Sequence, residues 1–433
     1  MSDTVTRLQL ANGLTVHLKE IHTAPLISHW VWYRVGSRNE LPGKTGVSHW
    51  VEHMQFKGTP QFPAGILDKA ISRDGGYWNA FTFLDWTAFF ETMPAEKVEL
   101  GLHLESDRMA NGIYAPEEVE SERTVIISER EGSENEPLFR LSEAMQVAAF
   151  EKHPYRHEIV GEKADLHTLT REDLFQHYHS HYMPNNAVLA IAGDFDTSAM
   201  LALVEKYYGV LKPGSTPILA VPVEPPQTAE KQLEVSGPGD TTYMQVVYHA
   251  PAANTCDFYA ITLLSSLLTG PAGLNMFGGG GTSNKTSRLY RALVEKELAI
   301  GIGGGLSATI DPHLYEISLT VHPQRAPQEA LTALDEQISK LQQELVSADE
   351  VHRAAKQARA LFAFGSENIT NQAFWLGYSE MFASYDWFLT YLQQLEQVTP
   401  QDIQRVAQGY LQASQRVVGV YLPTREEVQG EQQ

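Results

Sequence analysis

The chain has 433 residues, 43% of them hydrophobic and 20% charged, which excludes a disordered profile and supplies apolar material for two or three cores. Its 32 Lys and Arg stand against 53 Asp and Glu, a formal net charge of −21. A field of that sign repels phosphate backbones and no long basic stripe interrupts it, so nucleic acid is excluded as an expected partner. The single cysteine, Cys256, excludes an internal disulfide framework and an all-cysteine metal cluster.

Residues 7–35 read as strands. RLQLANGLTVHLKE carries an Asn-Gly turn between alternating runs, a hairpin signal, and LISHWVWYRVG is a buried or half-buried strand ended at Gly36. From Gly46 to Lys57 the apolar residues recur at helical spacing, closed by Pro60 and Pro63, and Tyr77 to Met93 returns to strand composition. Helices are expected over 95–111 and 115–131, the second opening on Pro116-Glu117-Glu118, a good first turn. A helix (171–182), a strand (187–192) and a helix (197–208) follow. The first residues lack the basic-then-apolar pattern of an export signal, and no run reaches the roughly 18 apolar residues of a membrane span. The expectation is a cytoplasmic chain without a membrane span.

LKPGSTPILAVPVEP, from Leu211, is rich in proline and reads as an extended linker. After it the plan restarts: a strand over 242–250, helices over 260–268 and 287–297, a strand over 315–321, three or four helices within 327–411, and a last strand over 417–422. Segments beginning at Leu169 and Val398 both read Thr-x-x-Asp, amphipathic helix, Tyr, polar loop, apolar strand. This similarity suggests an internal duplication, against a chance match of two ordinary helix–strand units. The expected organisation is a metal-bearing domain over 1–212, a linker over 213–229 and a related domain without a metal motif over 230–433. The expected class is α+β, two homologous sandwich-like α/β domains, each with an antiparallel or mixed sheet against helices.

The sharpest chemical feature is His49-Trp50-Val51-Glu52-His53. On a helix, i, i+3 and i+4 share a face, so His49 and His53 offer two imidazole nitrogens to one ion while Glu52 lies beside them. Zinc takes such ligands, and Glu52 suits a general base for water. The order is that of an inverted zinc-protease motif, although a polar helix face gives the same pattern. Further on, ESERTVIISEREG places Glu122 and Glu129 two turns apart on one side of a helix. Glu129 would supply the third ligand and Glu122 would orient a ligand, unless both belong to a solvated face.

These residues resemble the pitrilysin/insulinase family of inverted-zincin metallopeptidases, in the branch of the mitochondrial processing peptidases and their shorter bacterial relatives. That branch shows H-x-L-E-H-M-x-F-K-G-T, and this chain reads HWVEHMQFKGT from His49 to Thr59. Glu129 follows His53 by 76 residues, the spacing of the family's third ligand, and Glu122 falls on its additional acid. NGLTV, VGSRNE, GGYWNAFTFLDWTAFF, HPYRHEIVGEKADLHTLTREDL and YMPNNAVLAIAGDF also match family landmarks, and TSRLYRALVEKELA does so more weakly. The resemblance implies a zinc endopeptidase with Zn2+ on His49, His53 and Glu129. It also implies a peptide or unfolded segment added as a strand near Asn79, Ala80 and Phe81.

One departure bears on partners. Active members use an Arg and a Tyr within R-E-K-x-G-L-A-Y, where this chain has Val294 and Ile300 and one residue fewer. Neither apolar side chain can donate to an oxyanion. The resemblance therefore implies a catalytic subunit paired with a zinc-less homologue that supplies both groups, with a homodimer or a self-sufficient monomer as the other readings. A non-proteolytic structural or peptide-binding subunit of the same fold is the alternative function. Gly278, Gly279, Gly280 and Gly281 lack the ending of a nucleotide loop and read as a mobile, substrate-facing loop. His177, His179 and His181 do not share one helix face and are expected at the surface.

Overall fold

The computed structural model describes residues 4–73, 75–215, 220–274 and 283–424. The chain runs β1 (Thr6–Gln9), β2 (Thr15–Glu20), β3 (Leu26–Tyr33), α1 (Val47–Met54), α2 (Ile66–Arg73), β4 (Tyr77–Thr82), β5 (Thr87–Pro94), α3 (Val98–Asn111), α4 (Pro116–Ser133), α5 (Pro137–Ala149), α6 (Lys163–Thr168), α7 (Arg171–His181), β6 (Ala187–Gly193) and α8 (Thr197–Tyr207). It continues with β7 (Lys231–Pro238), β8 (Tyr243–Ala250), α9 (Cys256–Leu268), β9 (Ala299–Leu306), β10 (His313–Val321), α10 (Pro327–Gln343), α11 (Ala348–Phe364), α12 (Ile369–Tyr378), α13 (Tyr385–Gln397), α14 (Pro400–Tyr410) and β11 (Arg416–Thr424). Among the described residues no helix is long and apolar enough to cross a membrane.

Two compact units divide these elements. One comprises Met1–Arg130, His157–Pro222 and Ser366–Leu389; the other comprises Glu131–Arg156, Val223–Gly365 and Thr390–Gln433. The change at Pro222 falls within the proline-rich segment, but each half of the chain also lends a helical stretch to the other unit's fold, which contiguous boundaries do not capture.

The first unit holds a sheet in the order β1-β2-β6-β3-β5-β4, with β2 and β6 parallel and the other pairs antiparallel. Gly13, at φ +89°, makes the β1–β2 turn that Asn12-Gly13 announces. Strand β3 is covered on both faces, which explains its apolar and aromatic run from Trp30 to Tyr33. Trp30 and Trp32 pack on Phe374 of α12 with ring centroids 5.5 and 5.3 Å apart. A Cβ at Gly377 would lie 2.2 Å from the Trp32 ring, so glycine lets α12 approach this closely. On the opposite face Val31 and Tyr33 join Trp50, Val51 and Met54 of α1 and Leu102 and Met109 of α3 in one core. Placing α1 on that core fixes which of its faces remains for chemistry.

The second unit repeats the plan, with sheet order β7-β11-β8-β10-β9, β7 and β11 parallel, and α5 packed on the sheet. The two Thr-x-x-Asp signals are matching helix starts. Thr170 caps α7 with Asp173 completing the capping box, and Thr399 caps α14 with Asp402 in the same role. In each sheet the strand that follows lies beside the parallel partner. The repeated topology supports the duplication on physical grounds.

Several elements differ from the sequence expectation. The strand composition of Tyr77 to Met93 resolves into a hairpin of β4 and β5, whereas nothing in the sequence reading marks α2, α5, α6, β7 and β9. Strand β9, AIGIGGGL, at the sheet edge, hides in a glycine cluster that lowers strand propensity. The helix expected over 287–297 is reduced to a short wide turn at Tyr290–Val294, after which Glu297 at φ +57° turns the chain into β9. Five helices, α10 to α14, occupy the stretch expected to hold three or four. His177 and His181 are buried rather than exposed, because α7 packs that face on α1, where His177 Nε2 lies 3.2 Å from Ser48 Oγ.

Candidate metal centre

Helix α1 begins without a capping side chain of its own. Gly46, at φ +83°, precedes it, and a Cβ there would lie 2.5 Å from the Val160 carbonyl oxygen. Buried Glu40 supplies the cap from a distance: its carboxylate accepts from Gly46 N–H at 2.8 Å and Ser48 N–H at 2.9 Å. His157 Nε2 lies 2.9 Å from the same carboxylate. Asp165 accepts from Thr45 N–H and from its hydroxyl at 3.0 and 2.7 Å, so the loop entering α1 is held by two carboxylates. With Trp50, Val51 and Met54 in the core, the residues left on the other face are His49, Glu52 and His53.

Helix α4 supplies the rest. Arg123 clasps it to α1, its guanidinium 4.7 Å from the Trp50 ring centroid and donating to the Leu169 carbonyl at 2.8 Å. Glu122 and Glu129, two turns apart, then meet opposite edges of the same imidazole. Glu122 Oε1 lies 2.8 Å from His53 Nδ1, and Glu129 Oε2 lies 3.6 Å from His53 Nε2 and 3.9 Å from His49 Nε2. The potential ligand atoms of His49, His53 and Glu129 all fall within 4.8 Å of one another, which brings together the three residues the sequence singles out. A tetrahedral zinc with bonds of about 2.1 Å has ligand–ligand edges of about 3.4 Å, so this donor set, two imidazoles and one carboxylate, fits the ion. The Glu122 bond fixes His53 with its proton on Nδ1 and a lone pair on Nε2.

Electrostatics reinforce the arrangement. Burial pushes the His49 imidazole down to about 3, with the neighbouring His53 adding to the effect, so His49 is neutral and ready to ligate. Desolvation lowers His53, but the Glu122 hydrogen bond and the charges of Glu129 and Glu52 outweigh it and raise the group. Desolvation would raise Glu122, yet its hydrogen bonds to His53 and Lys57 hold it below the ordinary carboxylate range. Lys57 pairs with Glu122 directly and lies 3.6 Å from Glu118. Burial raises Glu52, partly opposed by the Thr82 hydroxyl, which donates to its Oε2 at 2.6 Å. A carboxylate moved up toward neutrality is suited to taking and returning a proton.

Strand β4 is the terminal strand of its sheet. Phe83 N–H donates to the Trp86 carbonyl at 2.8 Å, which makes Thr82–Thr87 and Ala80–Phe89 the pairs without mutual backbone bonds. The backbone groups of Ala80 and Thr82 therefore point to the free edge. Asn79 Oδ1 accepts from Ala80 N–H at 2.9 Å, and Phe81 stacks on Phe90. In the other unit, Val294 is half-buried at the end of its helical turn and Ile300 lies exposed on β9. Gly278, Gly279, Gly280 and Gly281 lie outside the described residues.

Sequence reasoning missed Glu40, Lys57 and Thr82. Nothing local marks Glu40, because Thr45, directly before the expected helix, reads as an ordinary cap. Lys57 is within the HWVEHMQFKGT motif but one turn past its ligands. Nothing local marks Thr82, which lies 30 residues from Glu52.

Comparison with known proteins places this geometry. The model of insulinase (peptidase family M16) matches residues 15–163, and that of the peptidase M16 inactive domain matches residues 168–358. An uncharacterized zinc protease of Mycobacterium leprae is 26% identical over 417 residues, covering 94% of this chain and 89% of that protein. The beta subunit of mitochondrial-processing peptidase from Blastocladiella emersonii is 31% identical over 211 residues, 49% of this chain and 45% of that one. The crystal structure of a Helicobacter pylori protease superimposes with a TM-score of 0.88 at 25% identity, covering 97% of this chain and 100% of the other. With the two models together matching residues 15–163 and 168–358 and a matched fold throughout, the chain belongs to the insulinase family of peptidases, peptidase family M16.

Proposed function

We propose that this chain is a zinc endopeptidase acting on peptides or extended protein segments, and that it is the catalytic subunit of a heterodimer. The observation that carries the catalytic reading is the convergence of His49, His53 and Glu129, with the buried carboxyl of Glu52 on the same helix face. A bound zinc supplies Lewis acidity that favours deprotonation of water and polarises a peptide carbonyl. Glu52 removes the proton from the attacking water and delivers it to the leaving amine as the peptide bond breaks. His53 is held in its ligating tautomer by Glu122, and Lys57 keeps Glu122 charged for that task. The substrate lies as an extra strand on the free edge of β4, where backbone pairing gives affinity with little sequence demand. Asn79, Ala80 and Phe81 line that edge, and the Asn79 amide yields Ala80 N–H to a substrate carbonyl.

The heterodimer reading rests on Val294 and Ile300, which offer no donor where the family pattern has Arg and Tyr. A zinc-less homologue then supplies those two side chains, and a homodimer is the competing assembly. The test expresses the chain alone and with such a homologue, and measures hydrolysis of an unstructured peptide, with Glu52→Gln as the control. The proposal expects cleavage by the pair, none by the Glu52→Gln pair, and little by the chain alone. Equal activity of the chain alone and the pair contradicts the heterodimer, and undiminished activity of Glu52→Gln contradicts the catalytic assignment.

A further inference from the structure

Thr82 occupies an unusual position between two functions. Its side chain lies on the α1-facing side of β4 and donates to Glu52 Oε2 at 2.6 Å, which leaves Glu52 Oε1 for another partner. Its backbone groups face the free edge of the sheet, on the alternation set by the Phe83–Trp86 bond. The neighbouring hydroxyl does not compete for the carboxylate. Thr87, directly opposite, donates to the Val35 carbonyl at 2.9 Å and stands 3.5 Å from Thr82 Oγ1. Thr82 is half-buried and Thr87 is fully buried, so water has poor access to replace the bond. The hairpin also restricts Thr82: Phe83 is bonded to Trp86 at once after it, and Trp78 on the same face packs on Phe56 with ring centroids 4.7 Å apart.

We propose that Thr82 is a positioning residue that couples the seating of a peptide strand on β4 to the orientation of the Glu52 carboxylate. This deepens the reading of Glu52 as the base and rests on it. A peptide strand pairing with the free edge fixes the β4 backbone at Thr82, and the hydroxyl carries that order one bond further to Glu52. Binding energy gained on residues distant from the cleaved bond is then expressed in kcat rather than in KM alone. Asn79, which reaches only its own neighbour's N–H, does not make this connection.

The test uses the zinc-loaded enzyme in whichever form, alone or paired, is most active with the wild-type chain. Thr82→Val keeps the branched shape that a strand favours and removes the hydroxyl; Thr82→Ser keeps the hydroxyl; Thr82→Ala serves if the valine variant does not fold. Each is assayed with a series of peptides lengthened along the strand that pairs with β4, beside Glu52→Gln. The proposal expects Thr82→Val to retain zinc and KM within about twofold and to lose about 10- to 100-fold in kcat, the factor of one hydrogen bond to a charged group. It expects Thr82→Ser to recover most of that loss. It also expects the rise of kcat with peptide length to flatten in Thr82→Val while the fall of KM persists. Unchanged kcat, a serine variant no better than valine, or an undiminished length effect on kcat overturns the proposal while Glu52→Gln is inactive. An active Glu52→Gln overturns the reading of the base instead.

Discussion

Glu122 Oε1 meets His53 Nδ1 at 2.8 Å, so the histidine that offers Nε2 to the metal is held from behind by an acid on another helix. Seven residues later on that helix, Glu129 approaches the ligating edge of the same ring at 3.6 Å. One helix thus provides both a ligand and the group that fixes another ligand's tautomer. Glu122→Gln keeps the size and the possibility of a hydrogen bond but removes the charge. Its zinc affinity is expected to fall about 10- to 100-fold, as other carboxylates behind ligating histidines do. Competition with a fluorescent chelator measures this, and an affinity equal to wild type would contradict a role for Glu122 in holding His53 for the metal.

Gly46 should be far less replaceable than its neighbour Gly43. Both have positive φ, +83° and +82°, but a Cβ at Gly43 meets nothing within 4 Å, whereas at Gly46 it meets the Val160 carbonyl at 2.5 Å. Alanine at either position carries the left-handed backbone cost of about 1–2 kcal/mol. Only Gly46→Ala adds overpacking, about 1–3 kcal/mol, and displaces the start of the ligand helix. Unfolding free energies from urea titration should separate the two variants by that second amount, with reduced zinc binding for Gly46→Ala alone. Equal free energies would contradict the close approach.

The His157–Glu40 pair predicts a pH-dependent term in stability. Desolvation lowers the His157 imidazole, but the hydrogen bond and charge of Glu40 outweigh it and raise the group above its ordinary 6.5. A raised folded value means that the protonated form favours folding. The contribution is complete below pH 6.5 and is lost as pH rises through the higher folded value. The difference in unfolding free energy between wild type and His157→Gln, measured from pH 5.5 to about 9, should therefore be largest at the acidic end and shrink above neutrality. A difference that is flat or grows with pH would contradict the pair.

Much of this centre was legible because helical spacing is local. His49, Glu52 and His53 share a face on any helix, and Glu122 and Glu129 are two turns apart on any helix, so the sequence alone restricts each set. Their meeting, however, depends on α1 and α4 packing side by side, and the 76-residue spacing of the family resemblance was what joined them. The duplication was readable from Thr-x-x-Asp because a capping box is also local. The membership of α12 in the first unit and α5 in the second was not readable, since an apolar helix face does not say which sheet will cover it. Thr82 escaped for a related reason: a threonine in a strand is ordinary, and only the register of the β4–β5 hairpin aims its hydroxyl at Glu52.

Zinc should also stabilise the fold detectably. Because the three ligands come from two helices, an ion that binds them favours the packed state, by about 2.7 kcal/mol at a free concentration one hundred times its Kd. Wild type and Glu52→Gln should both melt higher with zinc than after chelation, whereas His53→Ala should not respond. A zinc-dependent shift that survives His53→Ala would place the ion elsewhere.

The most direct test is a paired measurement of zinc content and peptide hydrolysis on Glu52→Gln, in the preparation where the wild-type chain is active. A general base contributes about 10²- to 10⁴-fold, so the account predicts one zinc per chain, as in wild type, with hydrolysis reduced by at least that lower factor. A variant that holds zinc and cleaves as fast as wild type would contradict the central claim.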